Sequence, residues 1–296
     1  MKRVISIGEA MLELSGAGDD LWRLGVAGDT MNTAWYLRES LSPDWQVDYL
    51  TRVGTDEFSH RVVNFLAEAG IGTAHVSRDP SRAVGLYAIS LDKGERSFAY
   101  WRGQSAARHL ADDANMLNKA LDGVTLAYVS AITLAILAPD RRQALLDALA
   151  TSKATVAFDT NYRPRLWEGT EAARDWITAA ALVSDIVLPS ADDDAACFGD
   201  ASPEATLARY VGLGVGEIVV KSGGGPVLYF DGKDGRIDDL TTVTPVDTTG
   251  AGDSFSAGYL SARLTGANVR DAALSGHDLA MRVVQGPGAL VPKPVA

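Results

Sequence analysis

Val246-Asp247-Thr248-Thr249-Gly250-Ala251-Gly252-Asp253-Ser254-Phe255 is the stretch on which the reading of this chain turns. Behind it, Ser256–Leu264 reads as a helix carrying Tyr259 and Leu260. Gly250, Ala251 and Gly252 therefore stand where a helix begins. Small residues there let backbone N–H groups come close to an anion, at the positive end of the helix dipole. The result is an anion hole suited to a phosphate. An aspartate in the same turn, Asp253, would repel that phosphate, but it makes sense if it faces a hydroxyl that accepts a phosphoryl group. The helix start is expected to keep this carboxylate ionised. A weak base suffices, because phosphoryl transfer depends more on positioning than on base strength. The alternative is an ordinary helix N-terminal acid with ~0.3–1 kcal/mol of dipole energy. The block is not a Walker loop, since Gly-Lys-Ser/Thr is missing. No Gly-x-Gly-x-x-Gly follows the first strand either, which disfavours a dinucleotide-binding oxidoreductase.

Outward from this block, short apolar runs alternate with helical patterns. Strands are expected at Val4–Ile7, Val47–Val53, Val124–Ser130, Thr155–Asp159, Ile186–Pro189 and Ile218–Lys221, and helices at Asp140–Ala150, Thr170–Ala181 and Glu204–Leu213. Continuous Val/Ile/Leu runs suit strands covered on both faces. Their alternation with helices predicts an α/β fold with a doubly wound, mostly parallel sheet. One region breaks the rhythm. Gly85–Leu91 and Arg96–Trp101 read as a hairpin around Asp92-Lys93-Gly94-Glu95, pairing 91 with 96 and 87 with 100. Side-chain alternation then puts Tyr87, Tyr100 and Arg102 on one face, with Trp101 packed on the other. Leu12–Leu14 and Leu21–Leu24 are candidates for further strands of this small β element. The alternative is a surface hairpin with one apolar face.

The 296 residues carry a net charge of −11. An acidic chain gains nothing from phosphate-backbone electrostatics, so a nucleic acid polymer is not an expected partner. Cys197 is the single cysteine, which rules out an internal disulfide, and its Ala-rich setting reads as packing. No apolar run approaches a membrane span. The N-terminal apolar run is too short for a secretory signal and is ended by Glu9, so the chain is expected in the cytoplasm. The four histidines show no metal-ligand spacing.

Asp247–Asp253 resembles the C-terminal signature of the ribokinase-like (PfkB) carbohydrate kinases. Ala27-Gly28-Asp29-Thr30-Met31-Asn32-Thr33-Ala34 resembles their N-terminal signature. Order, spacing and the intervening hairpin extend the resemblance over essentially the whole chain. It implies a single domain over 1–296, with lid elements at about 11–26 and 84–103. Within the family the likeness is closest to kinases of 2-keto-3-deoxygluconate. It rests there on Gly28-Asp29-Thr30-x-Asn32-Thr33-Ala34, on Gly94-Glu95-Arg96-Ser97-Phe98-x-Tyr100-Trp101-Arg102, and on Phe158-Asp159-x-Asn161-Tyr162-Arg163-Pro164-Arg165-Leu166-Trp167.

The resemblance implies that Asp253 is the base and that Gly250, Ala251 and Gly252 form the anion hole. Asp247 is placed like a residue that orders this loop, in some members with a monovalent cation. Gly28 and Asn32 would contact the substrate; the alternative is a helix start capped by Asp29 or Thr30. Tyr87, Tyr100 and Arg102 resemble lid residues closing over the substrate. An arginine can hold a carboxylate bidentately, whereas the alternative for Arg102 is a solvated surface charge. Arg163 resembles a residue between substrate and transferring phosphate. Asn161, Ser190, Lys221, Gly223 and Gly225 would line the nucleotide site together with Arg163, Gly250 and Gly252. Pro226 stands where the family has glycine, and a flexible turn is the alternative for that loop. The family's Asn-x-x-Glu is replaced here by Ser190 and Asp193. Asp193 can still orient water on Mg²⁺, or the pair forms a capped helix start.

These likenesses imply transfer of the ATP γ-phosphate to the terminal hydroxyl of 2-keto-3-deoxygluconate, with Mg²⁺ accompanying ATP. A kinase of a neutral sugar such as fructose or ribose is the nearest alternative, and a catalytically silent sugar-acid sensor is a second. A homo-oligomer is expected, with the edge of the lid sheet as one way to pair.

Overall fold

The computed structural model describes residues 2–18, 20–92 and 95–293. In chain order the strands are β1 (Lys2–Ile7), β2 (Met11–Gly16), β3 (Trp22–Ala27), β4 (Trp45–Val53), β5 (Gly72–Arg78), β6 (Leu86–Asp92), β7 (Glu95–Trp101), β8 (Leu126–Ser130), β9 (Thr155–Asp159), β10 (Ile186–Val187), β11 (Glu217–Val220), β12 (Val227–Phe230) and β13 (Asp234–Ile237). The helices are α1 (Asp29–Ser40), α2 (Glu57–Glu68), α3 (Ala114–Leu121), α4 (Ala131–Ile136), α5 (Pro139–Thr151), α6 (Thr170–Leu182), α7 (Ala191–Phe198), α8 (Pro203–Gly212), α9 (Ala251–Leu264) and α10 (Val269–Val283).

Nine strands form one sheet in the order β13-β12-β11-β10-β9-β8-β1-β4-β5. From β5 to β11 all pairings are parallel, and β12 and β13 add an antiparallel edge. The sheet is doubly wound because β1 is flanked by β4 on one side and β8 on the other. The chain reverses its winding there, and a crevice opens at the carboxyl ends of these strands. Alternation along β1 divides the core. Ile5 and Ile7 pack with Val129 and Phe158 on one face, while Val4 packs with Met31, Tyr128 and Tyr259 on the other. All eight side chains are buried.

The sequence expectations hold for most of the strands named above, with differences at the ends. The run Ile186–Pro189 pairs in the sheet only at Ile186–Val187, because Ser190 leaves it to open α7 and keeps one backbone bridge to Lys221. Helix α9 begins inside the glycine-rich loop, at Ala251 rather than Ser256, so Asp253 lies in its first turn. Strands β5, β12 and β13 were not anticipated. The last two are only four residues long; β12 is the apolar run Val227–Phe230, whereas β13, Asp-Gly-Arg-Ile, has no apolar run to mark it.

The remaining four strands form a separate sheet, β3-β2-β6-β7. Both candidate strands near residues 12 and 22 join it. The hairpin register is as expected, with Tyr87 opposite Tyr100 and Leu91 opposite Arg96. The turn tip Lys93-Gly94 lies outside the described residues. Trp101 does not pack as expected: it is 60% exposed, because β7 is an edge strand and no described residue covers that face. No helix among the described residues is long and apolar enough to cross a membrane.

Helices α9 and α10 pack closely and carry the glycine-rich turn on the body. A Cβ on Gly258 would fall 2.8 Å from the Ser275 carbonyl oxygen, and one on Gly276 would fall 2.7 Å from that of Phe255. Each helix thus presents a glycine to the other's backbone. Gly276→Val should cost about 1–3 kcal/mol or more, because backbone cannot yield as a side chain does. Urea denaturation followed by circular dichroism measures this, and an unchanged midpoint would contradict the close crossing.

Candidate active site

The crevice is built where α1 and α9 begin, above the ends of β1, β8, β9 and β11. Gly250 caps α9 with φ 77°, in the left-handed region that suits glycine. A Cβ there would also strike the carbonyl oxygen of Ala289 at 2.7 Å. That carbonyl is held in turn by the hydroxyl of Tyr36 on α1, which donates to it at 2.8 Å. Asp247 fastens the same loop from beneath. Its Oδ1 accepts the Thr249 amide and its Oδ2 the Gly288 amide, each at 2.8 Å. The start of α9 is therefore fixed by backbone contact on one side and a buried carboxylate on the other.

The three anion-hole amides are not equivalent. The Ala251 N–H turns back to the Thr248 carbonyl at 3.2 Å. This departs from the expectation that all three face the ligand, and the tight turn at Gly250 is its cause. Amides at a helix start have no intrahelical partner, so Gly250 and Gly252 supply the open donors.

Asp253 meets α1. Asn32 donates from Nδ2 to Asp253 Oδ2 at 2.8 Å, and the Thr33 hydroxyl reaches the Asp253 carbonyl at 3.2 Å. Asn32 is buried, and its own Oδ1 has no partner. The expectation that the helix start keeps Asp253 ionised is overturned. Burial pushes its carboxyl up to about 8, with the Asp29 and Asp159 carboxylates adding to the effect; Asn32 and Lys221 oppose it. Desolvation and two like charges outweigh one helix terminus, one side-chain donor and the Lys221 cation.

Gly28 caps α1 without any side-chain cap, so neither Asp29 nor Thr30 plays that part. A Cβ on Gly28 would lie 2.3 Å from the carbonyl oxygen of Glu9. The glycine is thus required by the chain's own backbone as well as leaving space at the crevice. Asp29 instead turns across the crevice. Its Oδ2 accepts from the Ser130 hydroxyl at the end of β8 and from Asn161 Nδ2 at 3.0 Å. Asn161, expected on the nucleotide side, is thereby joined to the α1 side.

The underside of the site is a buried ion pair. Lys221 Nζ donates to Asp159 Oδ2 at 2.6 Å, and the same oxygen accepts from Ser256 Oγ at 2.8 Å and the Tyr128 hydroxyl at 3.3 Å. Lys221 Nζ lies 3.8 Å from where a Cβ of Gly252 would stand, directly below the anion-binding turn. The following loop turns through Gly223 (φ 55°) and Gly224 (φ 98°), and the Gly225 amide closes it on the Ser222 carbonyl at 2.8 Å.

Arg163 and Asp193, expected to act on phosphate and on metal-bound water, are paired with each other at 3.1 Å. Burial pushes the Asp193 carboxyl up, and Arg163 works against it. Ser190 caps α7 through its backbone position, with no bond from its hydroxyl to the helix. Among the described residues, no group of three or more His, Cys, Asp or Glu is placed to hold a metal ion.

The small sheet closes one side. Tyr87 is buried, donates to Glu13 on β2 and stacks on Tyr100 at 5.8 Å. Tyr100 itself is half exposed. Arg102 is no solvated surface charge: it is buried and donates from Nη2 to Glu9 Oε2. Sequence reasoning missed Glu9 and Glu13. Glu9 was read only as the acid ending an apolar run, and a carboxylate directly after a buried strand was the available signal.

The family described as pfkB family carbohydrate kinase matches this chain over residues 1–296. The 2-dehydro-3-deoxygluconokinase of Dickeya dadantii (strain 3937) is 40% identical over 302 residues, covering 98% of this chain and 97% of that protein. The crystal structure of a PfkB protein from Polaromonas sp. JS666 superposes with a TM-score of 0.84 at 27% identity and covers 98% of each chain. A putative ribokinase II from E. coli, solved in complex with ATP and Mg²⁺, shares the fold. Its TM-score is 0.84 at 22% identity, covering 98% of this chain and 94% of that one.

Lys221→Met strands a buried Asp159 carboxylate and should cost roughly 3–5 kcal/mol. Adding Asp159→Asn should recover most of that loss in thermal unfolding. Equal loss in the single and double variants would show that the pair does not carry the site's floor.

Proposed function

The chain belongs to the pfkB family of carbohydrate kinases, and on that premise we propose that it transfers the ATP γ-phosphate to the terminal hydroxyl of 2-keto-3-deoxygluconate, yielding the 6-phosphate and ADP. The observation that carries the chemistry is the Asn32–Asp253 bond beneath the open turn of α9. Asn32 fixes the plane of the carboxyl through Oδ2 and leaves Oδ1 for the acceptor hydroxyl. As the hydroxyl oxygen bonds to the γ-phosphorus, its proton passes to Asp253 and the bond to the β-phosphate oxygen breaks. The open amides of Gly250 and Gly252 hold the charge that develops on the phosphoryl oxygens.

Lys221, Ser190, Gly223 and Gly225 line the nucleotide side, with Asn161 bridging to Asp29. ATP brings Mg²⁺, which neutralises phosphate charge. Asp193 suits water on that ion, because its carboxylate stands at the crevice and its present partner, Arg163, is half exposed and free to turn toward phosphate. Asp247 orders the loop through two amides, and a monovalent cation beside it would add to that order. The sheet bearing Tyr87, Tyr100 and Arg102 acts as the lid, excluding water so that the sugar hydroxyl is the acceptor. The whole chain works as one domain with this lid, at a cytoplasmic site of sugar-acid breakdown. Phe98, Tyr100 and Trp101 on its outer strand would be covered in an oligomer paired through that sheet.

The acidic substrate is favoured by the 40% identical relative of that activity and by the arginine at the lid's edge. An ADP-release assay with Mg·ATP and a panel of 2-keto-3-deoxygluconate, its galactonate epimer, gluconate, fructose and ribose tests it. Turnover of the ketodeoxy acid, lost by at least 10³-fold in Asp253→Asn on the order expected for a combined base and positioning group, is the expected result. Turnover of neutral sugars alone would overturn the substrate.

The pH profile follows from the charge around Asp253. The base works deprotonated, so kcat/KM should rise with pH through about 8. Asp29→Asn removes a negative neighbour and should move that limb to lower pH. Lys221→Met removes a positive one and should move it higher. Shifts in the same direction would refute the electrostatic account.

A further inference from the structure

Glu9 lies in the short link between β1 of the large sheet and β2 of the small one, and Arg102 stands where β7 returns to the body. Their ion pair therefore joins two of the four crossings between the small sheet and the body. Glu9 is 2% exposed and Arg102 8%. The other two crossings, before β6 and after β3, are shaped for the pair. A Cβ on Gly85 would fall 2.6 Å from Glu9 Oε1 and 3.2 Å from the Cβ of Arg102, and Gly28 leaves room for the Glu9 carbonyl on the other side.

The pairing is incomplete. A buried arginine and carboxylate usually form two parallel bonds, yet here one bond runs from Nη2 to Oε2. Glu9 Oε1 and Arg102 Nε are both buried without a partner. Removing two charges from water and leaving donor and acceptor unmatched is a poor way to gain stability. It is a sound way to hold a guanidinium in one orientation while most of its N–H donors remain for a ligand.

We propose that Glu9 is a positioning residue for substrate selection, holding Arg102 by one edge so that its remaining donors receive the carboxylate of the sugar acid. The inference rests on the reading of Arg102 as the carboxylate's ligand. Glu9 itself touches neither reacting atoms nor nucleotide. It sets the direction of the arginine, and it keeps a buried cation from standing uncompensated when the site is empty. Neutral sugars have nothing to match those donors, so the pair also acts against them.

Steady-state kinetics on Glu9→Ala, Glu9→Gln, Arg102→Ala and Glu9→Ala/Arg102→Ala, with Mg·ATP and 2-keto-3-deoxygluconate, tests this. Misdirecting one binding group by about an ångström costs on the order of 10- to 100-fold. Glu9→Ala should therefore raise KM for the acid by that factor, with kcat and KM for ATP within about threefold. Glu9→Gln keeps the acceptor and should restore KM to within about fivefold. The double variant should be no worse than Arg102→Ala, since Glu9 acts only through the arginine. If Arg102→Ala raises KM and Glu9→Ala does not, or if the two effects multiply, the role of Glu9 is overturned and the substrate reading stands. If Arg102→Ala leaves KM for the acid unchanged, the carboxylate reading fails and takes this inference with it. Should thermal unfolding show Glu9→Ala to be unfolded, Glu9→Asp is judged by the same criteria, because it keeps the charge and withdraws its reach by one methylene.

Discussion

The carboxylate of Asp159 is the point on which the rest of the site depends. One buried side chain at the end of β9 receives Lys221 from just past β11, Ser256 from α9, Tyr128 from β8 and the amide of Asn161. Three strands and the glycine-rich helix are thereby brought to one charge. Such a group tolerates burial only when its lone pairs are met. Because they are met by groups from distant parts of the chain, the carboxylate fixes where the first turn of α9 stands above the sheet. Lys221 beneath Gly252 then places a cation under the turn whose amides point outward.

Above that floor the site is crowded with negative charge. Asp29, Asp159 and Asp253 approach one another, and the last carries the cost as a raised proton affinity. In a kinase this arrangement has a use. A carboxyl that gains and loses its proton near neutral pH is better matched to proton transfer than one held ionised far below it. The helix dipole at the start of α9 serves the phosphate, while burial and the neighbouring acids serve the base. The two demands are separated by a single residue, from Gly252 to Asp253.

The small sheet is linked to the body through narrow passages, and each is lined by glycine. Gly28 and Gly85 let backbone and side chains of the two sheets pass within contact of Glu9. The ion pair at those passages is under-satisfied on both sides, which distinguishes it from Lys221–Asp159, where Asp159 is fully engaged. The first arrangement leaves most of the arginine's donors for a ligand; the second engages the carboxylate fully and serves the framework.

The sequence by itself determined the class of fold, because continuous apolar runs and helical spacing are local properties of the chain. It also determined the hairpin register, since alternation places Tyr87 opposite Tyr100 once the turn is located. The glycine-rich loop and Asp253 were legible for the same reason: they lie within ten residues. What only the tertiary structure decided is which charges meet. Glu9 finds Arg102 across 93 residues, Arg163 finds Asp193, and Asp29 and Asp159 come together around Asp253. The proton affinity of Asp253 depends on burial and on those neighbours, neither of which is a local property. The sequence reading, with only the helix terminus in view, expected an ionised carboxylate. Folding added desolvation and two more acids, and these outweigh the dipole of one turn.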